Sequence, residues 1–192
     1  CEKILDKNDT VIAKGLNDLG AVFYEQGKLN EAELSYQDAL ERYQEYYGSK
    51  HPEIASTLSN LGAIAYFNKE YNKAISYLNK SIAMYTHIYG GNHISIEPVM
   101  SNLAMTYIRT GDFQEAEELY FKVISLNKTI FGSSHSSLAY KYTNLGVLYS
   151  KMHDYSKAIQ YHSLALEIFR HYFGEANYTT INSYLSLGLD RF

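Results

Sequence analysis

Gly48-Ser49-Lys50-His51-Pro52-Glu53-Ile54-Ala55 leads, four residues on, into Asn60-Leu61-Gly62-Ala63. The recurrence of these two segments decides the fold. Counterparts of the second are Asp18-Leu19-Gly20-Ala21, Asn102-Leu103-Ala104-Met105, Asn144-Leu145-Gly146-Val147 and Ser186-Leu187-Gly188-Leu189, each 42 residues from the next. Three further columns keep that spacing without a gap: Ala32, Ala74, Ala116 and Ala158; Gly48, Gly90, Gly132 and Gly174; and His51, His93 and His135, with Asn177 breaking the last. A period in the range of about 20–50 residues marks a solenoid or array, in which each unit buries its apolar face against the next.

Each unit reads as two helices. In the second, Ile54, Leu58, Leu61, Ile64 and Ala65 form one apolar stripe at helical spacing, and Asn68-Lys69-Glu70 interrupts it. Tyr71, Ala74, Ile75, Leu78, Ile82 and Tyr85 form the next, closed by Gly90-Gly91-Asn92. The column glycines are expected in the left-handed conformation that ends a helix, and Pro52 suits a first turn, where a missing N–H costs nothing. Gly62 and Ala74 are expected where the two helices approach most closely. Pro98 lies eight residues after Gly90, whereas Pro52 lies four after Gly48. The third unit's first helix is therefore expected to start near Pro98, about one turn late, or to kink there.

Composition excludes several classes. The chain has 192 residues, a net charge of −4 and a pI near 6.0, which gives no basic footprint for nucleic acid. Its only cysteine is Cys1, so neither an intramolecular disulfide nor a cysteine metal cage can form. No apolar run reaches the roughly 18 residues of a membrane span. A soluble, cytoplasmic protein with no membrane insertion is expected. The only two prolines leave long stretches open to helix, and 20 tyrosines are expected to be mostly core.

The order of small, aromatic and aliphatic positions resembles the tetratricopeptide repeat: Leu19-Gly20-x-x-Phe23, Gly27-x-Leu29-x-x-Ala32, Tyr36 and Ala39 in the first unit; Leu103-Ala104-x-x-Tyr107, Gly111-x-Phe113-x-x-Ala116 and Tyr120 in the third; and Leu145-Gly146-x-x-Tyr149, Tyr155-x-x-Ala158 and Ala165 in the fourth. The family's Trp position holds Leu16, Leu58, Met100, Tyr142 and Tyr184. The usual period is about 34, and the extra residues amount to about two helical turns. This long form, with Gly-x-x-His-Pro-x-x-Ala ahead of Asn-Leu-Gly, is similar to the kinesin light chain subclass. Gly48-x-x-His51-Pro52-x-x-Ala55 matches it in full; Gly90-x-x-His93 and Gly132-x-x-His135 match in part. The resemblance implies an all-α, right-handed superhelical solenoid of antiparallel helix pairs. In this register, 1–9 is a lead-in or the end of a preceding repeat, and repeats 1 to 4 occupy 10–51, 52–93, 94–135 and 136–177. Residues 178–192 are a fifth first helix or a cap. The polar outer face of a true cap is missing at Tyr184, Leu185, Leu187, Leu189 and Phe192, which favours a piece of a longer chain or complex.

Catalytic, metal and cofactor sites are not expected. Packed helices lie about 8–10 Å apart, so one histidine per repeat cannot converge on an ion that needs ligands at about 2.0 Å. A loop histidine hydrogen-bonding at a helix start is the plainer reading; His153, His162 and His171 are scattered. No phosphate loop, nucleophile elbow or His-Glu-x-x-His pair occurs. Glu31-Ala32-Glu33 and Glu115-Ala116-Glu117-Glu118 read as a solvated face at helix starts. The sequons at Asn8, Asn79, Asn127 and Asn177 carry no weight.

The asparagine column remains. Asn60, Asn102 and Asn144, with Asp18 and Ser186 in register, precede the inward-facing Leu and share polar or variable stripes with Lys14, Phe67, Arg109, Tyr140 and Lys151. In the resembled family this stripe lines the concave groove. An amide donates and accepts, so it can hold a peptide backbone without reading its sequence. The expected partner is a protein or peptide segment. The competing reading is a ladder that only ties neighbouring helices in an architectural spacer or self-association array. A clamp for a C-terminal carboxylate is not expected, since Asn17, Ala21, Asn60, Pro98 and Asn102 stand at its positions.

Overall fold

The computed structural model describes residues 7–133 and 135–174. Expectations for 1–6, including Cys1, and for Asn177, Tyr184, Ser186 and the segment 178–192, lie outside the described residues. Among those described, every regular element is helical: α1 (Lys7–Glu25), α2 (Leu29–Tyr47), α3 (Pro52–Phe67), α4 (Tyr71–Tyr89), α5 (Ile96–Thr110), α6 (Phe113–Phe131), α7 (Ser137–Lys151) and α8 (Tyr155–Phe173). Contacts divide the chain into two compact units, Cys1–Thr106 and Tyr107–Phe192.

In the first unit, α1 packs on α2 and α3 on α4, while α2 also packs on α3. Three-residue connections join each pair, which makes the partners antiparallel. The small residues set their approach. A Cβ on Gly62 would stand 2.7 Å from Leu78 Cγ and 3.6 Å from the Ala74 carbonyl, and one on Gly20 would stand 2.9 Å from the Tyr36 ring. Around that contact Ala32, Tyr36, Leu61 and Ile64 form one core cluster, and Ala13, Ala39, Tyr43, Ile54 and Leu58 another. Leu61 is buried, as is Leu103 of α5, but Leu19 is 43% exposed, against expectation. Among the described residues no helix precedes α1 to cover its outer face, which also leaves Val11, Ile12 and Val22 exposed.

In the second unit α7 packs on α8 and α6 on α7. Gly146 repeats the close approach, its absent Cβ lying 2.5 Å from the ring of His162. That histidine is buried in the hairpin. Leu145 and all four column alanines, in both units, are fully buried.

The glycine corners and the start of α5 differ from expectation. Gly48, Gly90, Gly132 and Gly174 do have positive φ (75° to 87°), but their ψ values of −148°, 164°, 168° and 172° place them in an extended, glycine-only region rather than the left-handed helical one. The left-handed turns lie instead between paired helices, at Gly27, Lys69, Gly111 and His153. The late start of the third unit is shorter than expected. Helix α5 begins at Ile96, six residues after Gly90, so it lags α3 by two residues rather than a turn. A tight turn precedes it, with Ile96 N–H on the His93 carbonyl (3.0 Å) and Glu97 N–H on Ile94 (3.1 Å). Pro98 sits in the first turn, where its missing N–H leaves no bond unmade.

Candidate peptide-binding surface

Leu61, Leu103 and Leu145 turn inward and so turn the preceding residue outward. Asn60 on α3 and Asn102 on α5 are half-buried beside fully buried neighbours. In the first unit the stripe brings together Lys14 and Asp18, exposed on α1, with Asn60 and Phe67 on α3. The Asn60 Nδ2 donates to Asn17 Oδ1 at 3.4 Å, and the Thr57 hydroxyl lies 3.3 Å from that same oxygen and 2.8 Å from the Glu53 carbonyl. Phe67, 52% exposed, meets Tyr24 of α1 edge to face at 5.6 Å. These contacts draw α1 and α3 into one surface with a polar middle and an aromatic end.

The second unit carries its own version. On α7, Asn144 is half-buried, while Tyr140, Val147 and Lys151 are exposed; Arg109 is exposed in the last turn of α5. Tyr140 is anchored, its ring edge-on to Phe169 of α8 at 5.0 Å.

The histidine column lies elsewhere, at the corners between repeats. The N–H of Glu53 donates to His51 Nδ1 (3.3 Å), that of Ser95 to His93 (3.3 Å) and that of Ser137 to His135 (3.2 Å). Each ring also stacks on the aromatic residue that ends the preceding helix: His51 on Tyr47 at 3.5 Å, His93 on Tyr89 at 4.1 Å and His135 on Phe131 at 4.6 Å. Among the described residues no group of three or more His, Cys, Asp or Glu is placed to hold a metal ion. No described helix is long and apolar enough to cross a membrane.

Residues 11–87, 53–129 and 139–172 match the tetratricopeptide repeat family. The chain belongs to that family. Among solved structures, BtubC (BKLC) from P. vanneervenii shares its fold with a TM-score of 0.82 at 22% identity, over 95% of this chain and 72% of that one. A Podosopora anserina protein with nearly identical TPR-like repeats, of the kinesin light chain kind, gives 0.81 at 18% identity, over 96% and 87%. RapI in its apo form gives 0.78 at 18%, over 93% and 62%. At such identities the likeness is one of fold. No curated protein sequence matches the chain.

The tetratricopeptide scaffold also uses side chains that the motif does not mark. The acidic clusters are not merely solvated. Glu33 of α2 accepts from Lys73 of α4 at 2.6 Å, and Glu70 lies 3.1 Å from the same ammonium. Hydrogen bonds to Glu33 and then Glu70 hold the Lys73 ammonium above the usual lysine range. In the second unit Glu117 of α6 accepts from the Tyr149 hydroxyl of α7. Burial, then this bond, raises the Tyr149 phenol well above its ordinary value. Lys157 stands 4.7 Å over the Tyr149 ring. The tyrosines divide: Tyr149 is buried, Tyr71 and Tyr107 are half-buried, and Tyr155 is exposed beside His153, whose Nδ1 lies 3.0 Å from its hydroxyl. Asn127, in one of the sequons, is fully buried and so closed to modification in the folded chain. Asn17 was findable. Its column reads Asn17, Ser59, Ser101 and Thr143, small and polar throughout.

Proposed function

We propose that the chain is a protein-interaction module whose first helices hold an extended or helical segment of a partner, in a scaffold or adaptor role. One observation carries this reading. Buried Leu61, Leu103 and Leu145 follow half-buried Asn60, Asn102 and Asn144, so the second, third and fourth repeats each present an amide at the surface next to a rigid core. An amide has two donor hydrogens and an acceptor oxygen. The bond to Asn17 uses one donor of Asn60. Peptide N–H and C=O groups can meet the rest without regard to ligand sequence.

Side-chain preference would come from the flanks. Exposed Lys14, Asp18 and Glu25 of α1, with exposed Phe67 of α3, give the first unit a mixed, partly acidic edge that suits basic residues beside an apolar one. Arg109 and Lys151 make the second unit's stripe basic, with Lys141 nearby on α7, which suits an acidic or phosphorylated stretch. Exposed pairs of this kind contribute about 0–1 kcal/mol each and are salt-screened, so they orient a ligand more than they hold it. Tetratricopeptide proteins are generally non-enzymatic scaffolds, and no catalytic role is proposed.

The bond between Asn60 and Asn17 favours a second reading, in which the amides tie adjacent helices and the array is architectural. A random displayed peptide library selected against the chain separates the two. A selected peptide is then titrated against the wild type, the variant with Asn60, Asn102 and Asn144 all changed to Ala, and the variant with Arg109→Glu and Lys151→Glu. Loss of about tenfold or more in the first variant, with circular dichroism unchanged, supports binding. Equal affinity for all three supports the architectural reading.

A further inference from the structure

The second helices of the first unit enclose a cleft that the asparagine surface does not use. Its volume is about 510 Å³, within the range of about 300–1,000 Å³ usual for ligand sites. Leu40 of α2, Leu58 of α3 and Tyr77 and Met84 of α4 make an apolar floor. That floor is rigid, because Leu58 belongs to the core cluster with Ala39 and Tyr43, and Leu40, Tyr77 and Met84 pack against that cluster. On α3, Leu58 and Asn60 are two residues apart, about 200° round the helix. The cleft and the asparagine surface therefore lie on opposite faces of the same helix.

The rim is cationic. Lys50, from the loop after α2, and Lys80 of α4 supply its charge, His87 of α4 lines it as well, and no carboxylate does. The Lys50 ammonium donates to His87 Nε2 at 3.2 Å, which holds it at the rim of the cleft. The acids of α2 fall on another side: Asp38, Glu41 and Glu45 line a separate depression with Arg42. Two ammonium groups thus stand at the rim of an apolar hole.

We propose that this cleft is a second binding site, for a segment of a partner protein that inserts one aromatic or aliphatic side chain flanked by carboxylates. The anchor fills the floor between Leu40 and Met84. The flanking acids meet Lys50 of the loop and Lys80 of α4.

The probe is a capped pentapeptide with phenylalanine between two pairs of glutamates, followed by methyl NMR at Ala83 and Met84 and by a binding titration. Saturable shifts at those methyls are expected. Replacing the phenylalanine by alanine should weaken binding about tenfold or more, as for a buried anchor. Lys50→Gln with Lys80→Gln should weaken it about three- to tenfold and flatten its salt dependence. Ala83→Trp, which fills the hole from an exposed helix position, should abolish it with the melting temperature unchanged. The variant with Asn60, Asn102 and Asn144 changed to Ala should bind the probe like the wild type, which keeps this site separate from the asparagine surface. The proposal is overturned if the probe gives no shifts at millimolar concentration, or if neither Lys50→Gln with Lys80→Gln nor Ala83→Trp alters its binding. It is also overturned if dodecanoate occupies the cleft and the peptide does not, or if the methyl shifts track self-association of the chain.

Discussion

The corner after α2 and the corner after α6 have the same backbone and different interiors. In the first, Tyr43 is buried under Tyr47 at 6.0 Å, and Tyr47 stacks on His51 at 3.5 Å. The corner after α4 repeats this run with Tyr85, Tyr89 and His93. After α6 the inner ring is gone. Asn127 takes its place, fully buried, and accepts from the Ser137 hydroxyl at 2.6 Å while donating to the Val123 carbonyl at 3.4 Å. Phe131 and His135 still stack. The repeat thus fixes the corner's geometry, by a glycine and a capping histidine. What fills the corner is open to either an apolar ring or a satisfied polar latch. A buried amide is tolerated only because both ends find partners.

Removing each filling measures that difference. Tyr43→Ala should destabilise by about 3–5 kcal/mol, because a large buried side chain leaves a cavity. Asn127→Ala should cost less, about 0.5–1.5 kcal/mol, the net worth of a hydrogen bond, because the Ser137 hydroxyl keeps His135 Nδ1 at 2.8 Å as a partner. Chemical denaturation of both variants checks the order. Equal losses would mean that the latch is as strong as the ring.

Alkaline pH should tell the corners apart without mutation. Burial pushes the Tyr43 phenol up to about 12, and burial likewise raises Tyr85. A phenol raised in the folded chain adds stability that is complete below its unfolded value of about 10 and is lost as pH climbs through the folded value. Stability should therefore fall above about pH 10, and Tyr43→Phe should make that fall shallower. The α6 corner, filled by Asn127 and Phe131, contributes nothing to it. Thermal melts between neutral and alkaline pH provide the check. A Tyr43→Phe variant with the wild-type slope would contradict the assignment.

A smaller effect sits in the hairpin turns. Lys69 and His153 occupy the left-handed conformation (φ 64° and 61°) that Gly27 and Gly111 adopt at the matching positions. Lys69→Gly should stabilise by about 0.5–1 kcal/mol, the relief of left-handed strain net of glycine's greater chain entropy. Melting-temperature differences would show it, and a loss of stability would mean that the lysine stem supplies packing there.

The helix pairs were legible because their signals are local and repeated: the column alanines, Gly62 against Leu78 and the inward leucines. Leu19 was misread because burial depends on a neighbour, and an exposed first helix carries the same motif as a covered one. The glycine corners were read correctly for sign and wrongly for region, since sequence reports the need for positive φ but not the ψ that follows. Glu33 with Lys73 and Glu117 with Tyr149 were hidden for another reason. Each pair joins residues more than thirty positions apart, and an acid at a helix start looks the same whether it meets water or a neighbour. Of the candidate surface, the stripe was legible from helical spacing, while the Asn17 bond and the Tyr24–Phe67 contact depend on how closely α1 and α3 approach.

The central claim is that the asparagine-bearing face of the first helices receives the segment selected from the library. Amide hydrogen exchange of the chain with and without a library-selected peptide tests it most directly. The account predicts added protection in α1, α3, α5 and α7, centred on Asn60, Asn102 and Asn144, with exchange in α2, α4, α6 and α8 unchanged. Protection confined to the second helices would contradict it.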